Sequence, residues 1–142
     1  MEDLTVLQNK HNIHHVMFND EMLPPARLRS ISETIIRHDF NISWLALARL
    51  DKNFNRTTFC LGYSAGLRFL TFGLEAGSQT LLNKMNKGID SNEAGIWNNV
   101  FLLLGFPGET CEEFTETIEF MKKNGHVIDS LYGRCFPSRR WK

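Results

Sequence analysis

At four places in this 142-residue chain, ionisable, hydroxyl or glycine residues stand just after an apolar run. They are Asn19, Asp20 and Glu21; Arg49 and Asp51; Glu75 and Ser78; and Gly105, Gly108 and Glu109. Carboxylates and a guanidinium on one rim suit a small ligand carrying an amine, a carboxylate and hydroxyls, because each group then finds a charge-assisted partner. Taken singly, each residue is explained as well by a helix cap or a loop charge. The set is more specific than its members.

Other chemistry-bearing residues point to less. His11, His14 and His15 are close in sequence, but His14 and His15 would face opposite sides of a strand, so they do not make a metal site. Cys60, Cys111 and Cys135 are odd in number and far apart, which fits reduced thiols in packing roles better than a disulfide framework. Phe106-Pro107-Gly108-Glu109-Thr110 lacks the Gly-Lys-Ser/Thr ending of a phosphate loop, and no Gly-x-Ser-x-Gly elbow occurs.

For the rim residues to meet, the apolar runs before them must be parallel strands, since ligands in α/β proteins bind beyond the C-terminal ends of such strands. The pattern fits. Glu2 to Lys10 reads as the end of a helix and His15 to Phe18 as a strand that stops at Asn19-Asp20-Glu21. Pro24-Pro25 opens a helix with Leu28, Ile31, Ile35 and Ile36 on its apolar side, ending near Asp39. Ile42 to Leu50 reads as a strand, Asn55 to Ala65 as a helix stopped by Gly66, and Leu67 to Leu74 as a strand. A short helix is expected through Ser78, Leu81, Leu82 and Met85, then a strand from Val100 to Leu104. Thr110 and Glu113 form a capping box for a helix with Phe114, Ile118 and Met121 inward; Gly125 ends it, and Val127 to Leu131 is the last strand. Strict alternation implies parallel pairing with right-handed crossovers.

Composition narrows the classes. With 42% hydrophobic and 23% charged residues the chain is globular rather than disordered, and 16 basic against 16 acidic residues give no global pull toward nucleic acid or an anionic membrane. No apolar run approaches the roughly 20 residues of a membrane span, and the acidic start, Met1-Glu2-Asp3-Leu4, is unlike a secretory signal, so a cytoplasmic location is expected. Arg134, Arg139, Arg140 and Lys142 make residues 132–142 a basic tail after a domain of residues 1–131.

Met17-Phe18-Asn19-Asp20-Glu21, Leu45 to Asp51, Phe72-Gly73-Leu74-Glu75-Ala76-Gly77-Ser78, Met85-Asn86-Lys87-Gly88, and Gly105-Phe106-Pro107-Gly108-Glu109-Thr110 follow one another along the chain. In that order they resemble radical S-adenosylmethionine (radical SAM) enzymes, closest to the subgroup associated with cobalamin-binding domains. The resemblance spans His14 to Leu131 and implies an N-terminally truncated, partial (β/α)6 TIM-like barrel with outer helices. It implies S-adenosylmethionine at the C-terminal rim beside a 4Fe-4S cluster, with cobalamin in a fused domain. In that family the donor is cleaved to a 5'-deoxyadenosyl radical.

By the same resemblance, Asn19, Asp20 and Glu21 would hold the methionyl amine and Arg49 its carboxylate. Glu75 and Ser78 would reach the ribose hydroxyls, and Gly105 and Phe106 would line the adenine side. The family's CxxxCxxC loop is absent, and the three dispersed cysteines cannot replace it. The expectation is therefore a fragment of a radical SAM catalytic domain, inactive alone. The alternative is a non-catalytic S-adenosylmethionine-binding or protein-interaction remnant. The truncated sheet would leave an exposed edge for association with another chain. The substrate is a small molecule whose identity the rim does not specify.

Overall fold

The computed structural model describes residues 2–49, 51, 53–74, 94–104 and 110–135. Helix α1 (Glu2–His11) leads into strand β1 (His15–Leu23), followed by α2 (Pro25–Arg37), β2 (Ser43–Arg49), α3 (Arg56–Ser64) and β3 (Leu67–Leu74). Strand β4 (Trp97–Leu104), helix α4 (Cys111–Asn124), a single 3-10 turn (Gly125–Val127) and β5 (Ser130–Cys135) complete the described order. The expected helix through Ser78 and Met85, and the turn at Gly105 to Gly108, lie outside the described residues.

The five strands form one parallel sheet in the order β1-β2-β3-β4-β5. This is the α/β class that the alternating pattern implies. The strand order never reverses, so the sheet among the described residues has no topological switch point of the doubly wound kind. Nor is it closed, because β1 and β5 each have one paired neighbour. The α/β sheet is established; the barrel expected above is not.

Helices cover one face. Leu28, Ile31 and Ile35 of α2, Phe59 of α3 and Phe120 of α4 are buried in one core with Trp44, Ala46, Ala48, Leu70, Phe72, Val100 and Leu102 of the strands. Phe18 meets Trp44 edge-on at 5.2 Å within the sheet, and Phe54 ties α3 to it, stacking on Phe59 at 5.1 Å and meeting Phe72 edge-on at 6.0 Å. Local signals start the helices where expected. The Asn55 side chain accepts the Thr58 N–H, and Thr110 and Glu113 complete both halves of the capping box. Gly66 ends the α3 turn at φ +89°, and a Cβ there would sit 1.9 Å from the Ile42 carbonyl oxygen.

Three boundaries differ from the sequence reading. Strand β1 does not stop at Asn19: Phe18 pairs with Ala46 and Leu23 with Ala48, so residues 19–22 form a bulge within the strand, with Met22 at φ 54°. Leu23 is fully buried and draws the chain back to the core after the polar trio. Strand β4 starts at Trp97, before the apolar run, because its asparagines have partners. Asn99 bonds Thr71 and Ser130, and the Asn98 N–H donates to Asp129. Strand β5 is Ser130–Cys135 rather than Val127–Leu131, since α4 runs on into the 3-10 turn and the Asp129 N–H then docks on the Asn98 carbonyl.

Candidate ligand-binding rim

Among the described residues, no element covers the second face of the sheet. Pairing in register arranges its side chains in rows, because partners in a parallel sheet point to the same side. Nearest the N-terminal ends is Met17-Leu45-Phe69-Trp97; next is Leu47-Thr71-Asn99-Ser130; then comes Arg49-Gly73-Phe101-Tyr132, beyond which β4 and β5 add the pair Leu103–Arg134.

The middle row is a hydrogen-bonded chain. Trp97 Nε1 donates to Ser130 Oγ at 3.1 Å, Ser130 Oγ to Asn99 Oδ1 at 2.8 Å, and Asn99 Nδ2 to Thr71 Oγ1 at 3.3 Å. These bonds fix the amide of Asn99 between two strands. The row above it combines three different surfaces: the exposed guanidinium of Arg49, the bare backbone of Gly73, and the stacked rings of Phe101 and Tyr132, 5.4 Å apart. Met22 reaches across from the β1 bulge, its methyl 3.2 Å from where a Cβ on Gly73 would lie. A side chain at Gly73 would have to displace that methyl.

A second concavity lies outside the sheet. A cleft of about 490 Å³ is lined by Pro24, Pro25, Ala26, Arg29, Asp51 and Asn53. Arg29 donates to Thr58 Oγ1 at 3.1 Å, and Asp51 Oδ1 accepts the Asn53 N–H at 2.8 Å. The arrangement sets a cation, a carboxylate and the polar Asn53 beside the apolar Pro24, Pro25 and Ala26.

Of the sequence-derived site residues, the structure describes Asn19, the backbone of Asp20 and Glu21, and Arg49. Asn19 is exposed in the β1 bulge, where Asp20 and Glu21 share its backbone, and Arg49 is exposed at the end of β2. Glu75, Ser78, Gly105 and Phe106 lie outside the described residues. Of the rim acids, Asp51 lines the outer cleft rather than the Arg49 row. Sequence reasoning missed Phe101, Tyr132 and Arg29. The first two sat in segments read as buried or misplaced, and only the pairing of β4 with β5 brings them together. Arg29 follows the Pro24-Pro25 helix start by one turn, a signal present in the sequence but read only as helix.

Among known proteins the chain is similar to an uncharacterized methyltransferase of Pyrococcus horikoshii, with 30% identity over 135 residues covering 87% of this chain. The chain spans only 29% of that relative's length. No protein-family model matches it.

These findings correct the radical SAM resemblance. The relative is named a methyltransferase, and no family model supports membership of the radical enzymes. The five segments that carried the resemblance are short and individually weak, and several coincide with ordinary strand ends and caps of a parallel α/β protein. The reading as a fragment of a radical catalytic domain is withdrawn with it, as are the 4Fe-4S cluster and cobalamin. Among the described residues, no group of histidine, cysteine, aspartate and glutamate side chains is placed to hold a metal ion. Cys60 and Cys111 are exposed, unpaired thiols on different helices. Among the described residues, no helix is long and apolar enough to cross a membrane.

Proposed function

We propose that this chain is the donor-binding part of a methyl-transfer protein and holds S-adenosylmethionine at the C-terminal rim of the sheet. The observation that carries this reading is the row Arg49-Gly73-Phe101-Tyr132. Adjacent strands lie about 4.8 Å apart, so Arg49 on β2 is roughly 10 Å from Phe101 on β4. A donor lying across the row would give its carboxylate to the guanidinium and its flat base to the aromatic pair, with the flexible Met22 side chain swinging off the bare backbone of Gly73 to make room between. When bound, S-adenosylmethionine supplies an electrophilic methyl group on a sulfonium. This chain's residues bind and orient it.

The remaining rim residues have the complementary types. We assign the amine to Asn19, Asp20 and Glu21, the ribose hydroxyls to Glu75 and Ser78, and the base side also to Gly105 and Phe106. The sequential strand order supports a further reading, that the sheet is a segment of a parallel barrel whose concave side is the uncovered face. The relative named a methyltransferase supports the reaction class, and the acceptor is open.

Isothermal calorimetry with S-adenosylmethionine tests the site. Saturable binding is expected, weakened about 10- to 150-fold by Arg49→Ala if one charged hydrogen bond to the carboxylate is lost. Arg29→Ala, in the outer cleft, should leave the affinity unchanged. Absence of binding at millimolar donor would refute the reading, and sensitivity to Arg29→Ala alone would move the ligand to the outer cleft.

A further inference from the structure

The outer cleft carries one charge of each sign, and the two do not meet. Arg29 stands on α2, one turn after Pro25, and Asp51 follows the end of β2. Both line the cleft, yet they do not pair with one another. Among the described residues, one of the five guanidinium N–H groups is committed, to Thr58 Oγ1, and Asp51 uses only Oδ1, for the Asn53 N–H. The other donors of the cation and the second carboxylate oxygen are left for a group that enters the cleft.

Each charge is held in place by its neighbours. Thr58 is 1% exposed, and its hydroxyl donates to Asn55 Oδ1 at 3.0 Å, which leaves a lone pair for Arg29. Asn55 Oδ1 also accepts the Thr58 N–H at 2.9 Å, so the guanidinium is moored to the start of α3. Asp51 is tied at two points, its side chain accepting the Asn53 N–H and its carbonyl the Phe54 N–H at 3.1 Å. Phe54 in turn stacks on the fully buried Phe59. Pro24 and Pro25 add an apolar surface whose φ angles are fixed by their rings. Little ordering is left for a ligand to supply.

The pair of charges selects the ligand. A net anion on Arg29 would leave Asp51 without a partner, and a net cation on Asp51 would do the same to Arg29, whereas a molecule carrying both charges satisfies each. We propose that the outer cleft is a second binding site, for a small zwitterion of the α-amino-acid type. Its carboxylate lies on Arg29, its ammonium group on Asp51, and an aliphatic side chain on Pro24, Pro25 and Ala26. A cleft of about 490 Å³ has room for such a molecule with its side chain. The site shares no residue with the Arg49 row, so zwitterion binding and donor binding are independent.

The probe is L-norleucine, followed through the backbone amide resonances of Ala26, Arg29 and Asn53 in isotope-labelled protein. Their shifts should saturate with a dissociation constant of about 1 mM, the scale for a ligand of this size in an open cleft. Hexanoate, which lacks the ammonium group, and pentylamine, which lacks the carboxylate, should each bind about tenfold or more weakly, and so should norleucine to Arg29→Gln or Asp51→Asn. Asp51→Asn keeps an oxygen for the Asn53 N–H, and unchanged circular dichroism checks that both variants fold. Equal affinity for hexanoate or pentylamine would overturn the zwitterion, and the absence of a saturable shift at about 20 mM norleucine would overturn the site. S-adenosylmethionine, at the concentration that fills the Arg49 row, should leave norleucine binding unchanged. Displacement would assign the cleft to the methionyl end of the donor and overturn both readings. Loss of norleucine binding with Arg49-dependent donor binding intact overturns this inference alone, and the reverse result overturns the donor site alone.

Discussion

Replacing Gly66 by alanine should be among the most damaging single-methyl changes in this protein. Gly66 has φ +89°, a conformation that costs an L residue about 1–2 kcal/mol. The added Cβ would lie 1.9 Å from the Ile42 carbonyl oxygen, which is backbone and cannot swing away. Relief requires the turn to separate from the start of β2. That movement strains two 2.9 Å bonds, from the Trp44 N–H to the Gly66 carbonyl and from Trp44 Nε1 to the Ala65 carbonyl. Each is worth about 0.5–1.5 kcal/mol net. The total loss is about 2–5 kcal/mol, a large share of the stability of a domain this size, and the midpoint of thermal unfolding should fall by roughly 5–15 °C. The assay is urea unfolding followed by far-ultraviolet circular dichroism, with unchanged m-value as the check on the folded state. Gly125→Ala supplies the contrast: its φ is −58° and a Cβ there meets nothing within 4 Å. That change should be neutral or stabilising by up to about 1 kcal/mol. A Gly66→Ala loss below about 1 kcal/mol, or equal effects at the two glycines, would refute this account of the turn.

Other perturbations test other parts of the fold. Thr110→Ala removes the side chain that accepts the Glu113 N–H and should cost about 1 kcal/mol in the same urea assay, more than Thr115→Ala on the exposed side of the helix. Ser32 Oγ is buried in α2 without a hydrogen-bond partner among the described residues, so Ser32→Ala should stabilise by about 1 kcal/mol; a loss would mean that the hydroxyl has a partner in solution. Asn99→Leu removes the amide that links Thr71 to Ser130 and should destabilise by about 1–3 kcal/mol, measured by thermal unfolding. Gly73→Val should cover the bare backbone beside Arg49 and weaken S-adenosylmethionine binding at least tenfold in calorimetry while circular dichroism stays native; unchanged affinity would place the donor elsewhere.

The alternation of helices and strands was legible because each element carries a local signal. Pro24-Pro25 starts α2, Asn55 caps α3, the Thr110 and Glu113 box starts α4, and Leu67 to Leu74 is a strand by its apolar run. Parallel pairing followed from that order through chain connectivity alone. Arg49 was recognisable as a rim residue for the same reason: it ends an apolar strand.

What the sequence could not determine depends on partners distant along the chain. Asn98 and Asn99 are poor strand formers by themselves, and they lie within β4 because Asp129, Ser130 and Thr71 satisfy their polar groups. The polar trio after Phe18 reads as a strand end, yet burial of Leu23 beside Ala48 keeps β1 paired through a bulge. Phe101 and Tyr132 meet only when β4 and β5 fall into register. Gly66 and Gly125 both follow helices and look alike in sequence, but one is pressed against a carbonyl and the other faces open space. Local propensity and connectivity set the element types and their order; the contacts between separated segments set where those elements end and which side chains form the rim.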